Sequence, residues 1–150
     1  MIWLEDFTVG EVRRFGRCAV TRDAAIAFAA AFDPQPFHLD DAAAAANPIF
    51  GRLAASGWHT CAMTMRMVVD HWASLGGASL GSPGIDELRF LKPVHPGDVL
   101  TVESEVLAVR PLASRPDRGI VSGRTRTLNQ RGDAVLSFLN TTFWPRRDRD

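Results

Sequence analysis

Between Gly57 and Ser74 the chain carries apolar side chains around most of a helix's circumference, and this segment restricts what the rest can fold into. Trp58, Cys61, Ala62, Met65, Val68, Val69 and Trp72 recur at helical spacing. Arg66 and Asp70 form an i,i+4 pair on the other side, yet even there Met63 and Met67 are apolar. Ser56 is a suitable N-cap, and Leu75-Gly76-Gly77 breaks the far end. A helix of this kind needs other elements wrapped around it. After Gly84 the apolar period becomes two: Ile85 to Leu91, Val99 to Val109, Gly119 to Leu128 and Ala134 to Trp144 read as strands. Pro96-Gly97-Asp98 and Asn129 to Asp133 carry turn signals. With a further strand from Glu11 to Val20, the pattern predicts an α+β domain, a curved antiparallel sheet in meander order around a long central helix.

Two smaller helices precede the long one. The first is expected over Arg22 to Phe32, with Thr21 as N-cap and Asp23 in the positive first turn, ending at the Asp33-Pro34 step. The second is expected over Asp40 to Ala46, closed by Asn47-Pro48; its five alanines have little bulk and suit close packing against a neighbour. The charged residues Arg146 to Asp150 read as a frayed tail.

At 150 residues the chain suits a single domain over residues 1–150. Seventeen basic residues balance seventeen acidic ones, so no long-range field gathers nucleic acid or an acidic membrane. Cys18 and Cys61 are far apart and in no metal-like spacing, which points to a reducing compartment. Glu5 and Asp6 interrupt any secretory apolar region at the start, and no apolar run is long enough to span a bilayer. The expectation is a soluble, cytoplasmic protein without nucleic-acid or membrane partners.

The chemistry concentrates in Phe32-Asp33-Pro34-Gln35-Pro36-Phe37-His38. Pro34 and Pro36 fix their own φ and push Asp33 and Gln35 toward extended conformations, so the segment reads as a rigid, non-helical loop presenting Asp33 and His38 in set directions. Such a pair either shares a water for general acid–base work or forms an Asx turn followed by a capping histidine.

The block from Thr21 to Gly57 resembles the MaoC-like dehydratases, also called R-specific enoyl-CoA hydratases, of the hot-dog fold. Its Thr-capped helix, Asp-x-x-Pro-x-His loop, Ala-rich helix, Phe50-Gly51 and small-residue-Gly step into a long helix carry the likeness, as does the later run from Leu88-Arg89-Phe90 to Pro96-Gly97-Asp98. The resemblance implies reversible syn addition of water to a 2-enoyl thioester of coenzyme A or acyl carrier protein, with no cofactor, in a homodimer or higher homo-oligomer. Asp33 and His38 inherit the catalytic roles. Gly57, at the positive start of the long helix, permits close approach of a thioester carbonyl to backbone N–H groups.

This chain departs from the family in having Phe32 before the acid, Gln35 two residues after it and Ser56 before Gly57, where Gly, Asn and His are usual. Gln35, Phe37, Phe50, Ser56 and Trp58 are therefore candidates for substrate contact, the aromatic ones suggesting a restricted acyl pocket. Arg89 and Lys92 are candidates for the phosphates of the carrier. His59, His71 and His95 share no helical face with metal-ligating partners, so no metal is expected. No Gly-rich phosphate loop points to a nucleotide cofactor, and Ser56 lacks the surroundings of a nucleophile elbow. Two other readings stand beside the hydratase: a thioesterase on the same fold, and a non-catalytic subunit that binds acyl thioesters.

Overall fold

A computed structural model describes residues 1–147. A turn of 3-10 helix at Leu4–Asp6 leads into β1 (Val12–Ala19), followed by helices α1 (Arg22–Phe32), α2 (Pro36–Leu39), α3 (Asp41–Ala46) and α4 (Gly57–Ser74). Four strands complete the chain: β2 (Gly81–Phe90), β3 (Val99–Leu112), β4 (Arg115–Leu128) and β5 (Ala134–Pro145). They form one five-stranded antiparallel sheet in the order β1-β3-β4-β5-β2, curled about α4. β1 and β2 are its two edges.

Curvature has a local origin in β1. Its pairing with β3 slips between Phe15 and Cys18, where Gly16 sits at φ +78° and lets the backbone pass over Met67. A Cβ at Gly16 would lie 2.7 Å from the Met67 sulfur, so no larger residue fits there without moving α4. The core lies between α4 and the concave face of the sheet. Met63 and Met67 pack with Leu100, Val102, Val135, Leu136 and Phe138 under the first half of α4. Ile2, Leu4, Phe7, Val106, Val121 and Trp144 pack under its second half, with Trp72 against them. Within this apolar layer Thr64 and Thr127 share a hydrogen bond of 2.6 Å, and Thr64 Oγ1 also donates to the Thr60 carbonyl, so neither buried hydroxyl is orphaned.

Helix starts follow their caps. The side chains of Thr21, Asp40 and Ser56 accept from Ala24, Ala43 and Trp58 amides, which places α1, α3 and α4 within one residue of the expected bounds. Four expectations change. The segment after Pro34 is not a helix-free loop: Pro36 occupies the first position of the single turn α2, where its missing N–H has no partner to lose. Of the alanine run only Ala44 is buried, because α3 lies on the surface. The buried face of α4 is Thr60, Met63, Thr64 and Met67, while Trp58, Met65 and Val69 of the expected stripe are more than half exposed. Finally, Arg146 and Arg147 are not frayed, since they pair with Glu5 and Asp6 of the 3-10 turn; residues 148–150 lie outside the described residues.

Candidate active site

Three segments meet where α1 ends and α4 begins. Asp33 is the C-cap of α1, at φ −149° and ψ 66°, the extended φ that a following proline favours. Two residues on, Gln35 turns its side chain back and donates from Nε2 to Asp33 Oδ1 at 2.7 Å. Ser56 Oγ donates to Asp33 Oδ2 at 2.7 Å and accepts from the Trp58 amide at 3.2 Å. Both carboxylate oxygens are therefore held, each by a donor from a different segment.

His38, on α2, is 4 % exposed. Its Nδ1 lies 2.6 Å from the Ala54 carbonyl, which can only accept, so Nδ1 carries the proton and donates. The Leu53–Ser56 stretch is rigid enough to set the ring, being buried throughout and anchored by the Ala55 amide on the Val94 carbonyl and by His95 Nδ1 at 2.8 Å from the Leu53 carbonyl. With Nδ1 committed, the Nε2 of a neutral His38 bears a lone pair, 3.4 Å from Asp33 Oδ2. Burial pushes the Asp33 carboxyl up, but the hydrogen bonds from Gln35 and Ser56, joined by the charge of His38 when its ring is protonated, outweigh it and hold the group below the usual carboxylate range. Two acceptors thus face each other across a gap that one water can bridge by donating to both.

A cleft of ≈ 430 Å³ opens from this gap. Gly57 lines it, and the Gly57 amide is one of the first-turn N–H groups of α4 that have no partner within the helix. Phe37 and Phe50 stack 4.8 Å apart along one wall, Phe37 also meeting the His38 ring edge-on. Trp58 stands at the mouth, perpendicular to the Phe90 ring at 5.9 Å, and both are more than half exposed.

Of the candidates taken from the sequence, the structure brings Asp33, His38, Gln35, Phe37, Phe50, Gly57 and Trp58 to this cleft. Ser56 touches Asp33 from behind, fully buried, and is not in the wall. Lys92 reaches the mouth and pairs with Asp133 at 3.1 Å. Arg89 is elsewhere: Leu88 and Phe90 pack toward the core and α4, so the intervening Arg89 lies on the opposite, exposed face of β2. His59 stacks on Phe28 and His71 on Phe15, both away from the dyad. Sequence reasoning missed Thr60, Phe90, Pro93, Val94 and Val135 as lining residues. It also missed the Ala54 carbonyl, a backbone group that no residue type announces.

A five-stranded antiparallel sheet around one long helix, with a cleft at the helix start, defines the hot-dog fold. The chain belongs to the MaoC-like dehydratase family: residues 6–124 match the family model described as "MaoC like domain". Over 99 % of its length it superposes on a MaoC-like dehydratase from Rhodospirillum rubrum, covering 100 % of that chain at 43 % identity with a TM-score of 0.87. The R-hydratase PhaJ1 from Pseudomonas aeruginosa is 30 % identical, with 97 % of this chain and 87 % of that one covered and a TM-score of 0.68. A mesaconyl-CoA hydratase from Cereibacter sphaeroides is 46 % identical over 65 residues, which is 43 % of this chain but only 19 % of that protein. Hydratases therefore occur among its relatives. Among the described residues no helix is long and apolar enough to cross a membrane.

Proposed function

We propose that this chain is an acyl-thioester hydratase/dehydratase, adding water reversibly to the α,β double bond of a 2-enoyl-CoA or enoyl carrier-protein thioester. The observation that carries the reading is the pair of opposed acceptors, His38 Nε2 and Asp33 Oδ2, beside the free amide end of α4. A water donating to both presents a lone pair to the β-carbon. As the C–O bond forms, one water proton passes to the pair, and the π electrons move through the α-carbon onto the thioester oxygen, where the Gly57 amide receives the charge. The pair then returns its proton to the α-carbon from the same face, giving syn addition and an unchanged enzyme. Nothing is oxidised or reduced, and no cofactor is consumed. The aromatic walls of Phe37 and Phe50 favour a compact acyl group.

Product analysis tests the reading. Incubation with crotonyl-CoA and with a methyl-branched, carboxylated enoyl-CoA is expected to remove the conjugated double bond and yield a 3-hydroxyacyl thioester with no free thiol. Release of thiol assigns a thioesterase instead. Tight binding without turnover over a broad panel assigns a non-catalytic subunit.

The working unit in this proposal is a homodimer. β2 is an edge strand with an unpaired outer ladder; Ile85 on it is exposed near Met65 and Val69 of α4, and Phe90 is exposed beside Trp58. A cavity of ≈ 480 Å³ between α4 and the sheet is lined by Ile85, Met65 and Val69 as well. A second copy paired edge to edge covers these groups. The wild-type chain is expected to sediment at twice its mass and an Ile85→Arg/Val69→Arg variant at one mass; a monomeric wild type contradicts the proposal.

A further inference from the structure

We infer that Ser56 is a positioning residue, whose single hydroxyl ties the Asp33 carboxylate to the start of α4 and so holds the proton-accepting group and the amide end of the cleft as one unit. The inference rests on the reading of Asp33 and His38 as the acid–base pair. Ser56 is 0 % exposed and does not line the cleft. Its Oγ accepts from the Trp58 amide at 3.2 Å, and its proton goes to Asp33 Oδ2 at 2.7 Å, the oxygen that faces His38 Nε2. The direction of this second bond is set by the partners, since an amide can only donate and an ionised carboxylate can only accept. With both bonds made and no access to the cleft, Ser56 has nothing to offer a substrate directly and acts through Asp33.

Geometry explains why that matters. Gln35 holds Oδ1 and Ser56 holds Oδ2, so the carboxylate cannot turn about its Cβ–Cγ bond without losing a donor. The remaining acceptor position of Oδ2 is thereby left toward the gap shared with His38. Gln35 is exposed and its bond competes with water, whereas the Ser56 bond lies away from solvent and is the firmer hold. The charged or titratable groups facing Asp33 are His38 from α2 and, at the cleft mouth, Lys92, which is already paired with Asp133. Loss of a donor to the charged form favours protonation, so the Asp33 titration moves to higher pH when the hydroxyl is removed.

Helix capping and carboxylate holding separate by choice of variant. Ser56→Ala loses both; Ser56→Gly keeps nearly all the capping preference and loses only the hydroxyl; Ser56→Thr keeps the hydroxyl. The Asp33 carboxyl is titrated by NMR in the wild type and the three variants, kcat and KM for crotonyl-CoA hydration are measured against pH, and thermal unfolding confirms that each variant folds. Expected for Ala and Gly are an upward move of the Asp33 midpoint and of the acid limb, with kcat lowered about tenfold and KM nearly unchanged. Threonine is expected to restore both readings. A Gly variant that matches the wild type, or a Thr variant that fails to restore, overturns the inference. If the wild type hydrates no enoyl thioester, the functional reading falls while the NMR midpoints still decide Ser56: unmoved midpoints in Ala and Gly overturn it, raised ones support it.

Discussion

Asp33→Asn and His38→Ala are each expected to lower kcat for enoyl-thioester hydration by a hundredfold or more, with the melting temperature changed little by the first. Asparagine keeps the shape of the carboxylate, but it removes the charge and replaces one of the two acceptor oxygens by a donor, so it cannot accept from both Gln35 and Ser56 as the carboxylate does. If its NH₂ faces His38, it donates into the gap and the bridging water loses one of its two acceptors. Alanine at position 38 removes the Nε2 lone pair outright and leaves the Ala54 carbonyl without its donor, so this variant also costs stability. The pair works on one water, so the double variant is expected to be scarcely slower than the worse single one. Wild-type turnover in either single variant, on a substrate the wild type accepts, removes both residues from the mechanism.

Gly57→Ala is expected to cost about as much. A Cβ there would lie 2.6 Å from the Phe90 ring, which shares the cleft wall with Gly57, so the added methyl must push the ring aside or crowd the cleft beside the first amide of α4. Losing one donor to a developing oxyanion costs roughly 3 to 4 kcal/mol in other enzymes, which is a hundredfold to a thousandfold in kcat. Phe90 is half exposed and can swing outward, so the fold itself is expected to survive. The control is Phe90→Ala combined with Gly57→Ala. If the added methyl acts by blocking the amide, the double variant stays as slow as Gly57→Ala alone. Recovery of activity in the double variant shows instead that a displaced Phe90 was responsible.

Much of this was legible in the residues because local and global signals agree. Thr21 and Ser56 cap the helices they were expected to cap, Asp40 caps the helix it was expected to begin, and the turns at Gly97 and Gly132 fall where positive φ is needed. Where a signal admits two meanings, the reading failed. Prolines break helices from inside but start them from the first position, and Pro36 does the latter. The helix α4 is apolar on nearly every side, so its sequence shows that it packs but not which face meets the sheet. Contacts between distant segments left no local trace at all. The pairing of Arg146 with Glu5, the Ala54 carbonyl beneath His38 and the placement of Arg89 on the far side of β2 are properties of the folded chain.

The ends of two helices meet at the cleft with opposite polarity, and this has a consequence for the reaction. Asp33 closes α1 at its carbonyl end, while Gly57 opens α4 at its amide end. Partial negative charge therefore borders the place where a proton arrives, and partial positive charge borders the place where electrons accumulate. An uncharged enoyl thioester gains little from such a gradient, but the charge-separated state midway through hydration is stabilised at both poles. Added salt, which weakens interactions between exposed charges, should change turnover less than it changes capture of the carrier's phosphates, because the gradient is built from backbone dipoles fixed in the fold.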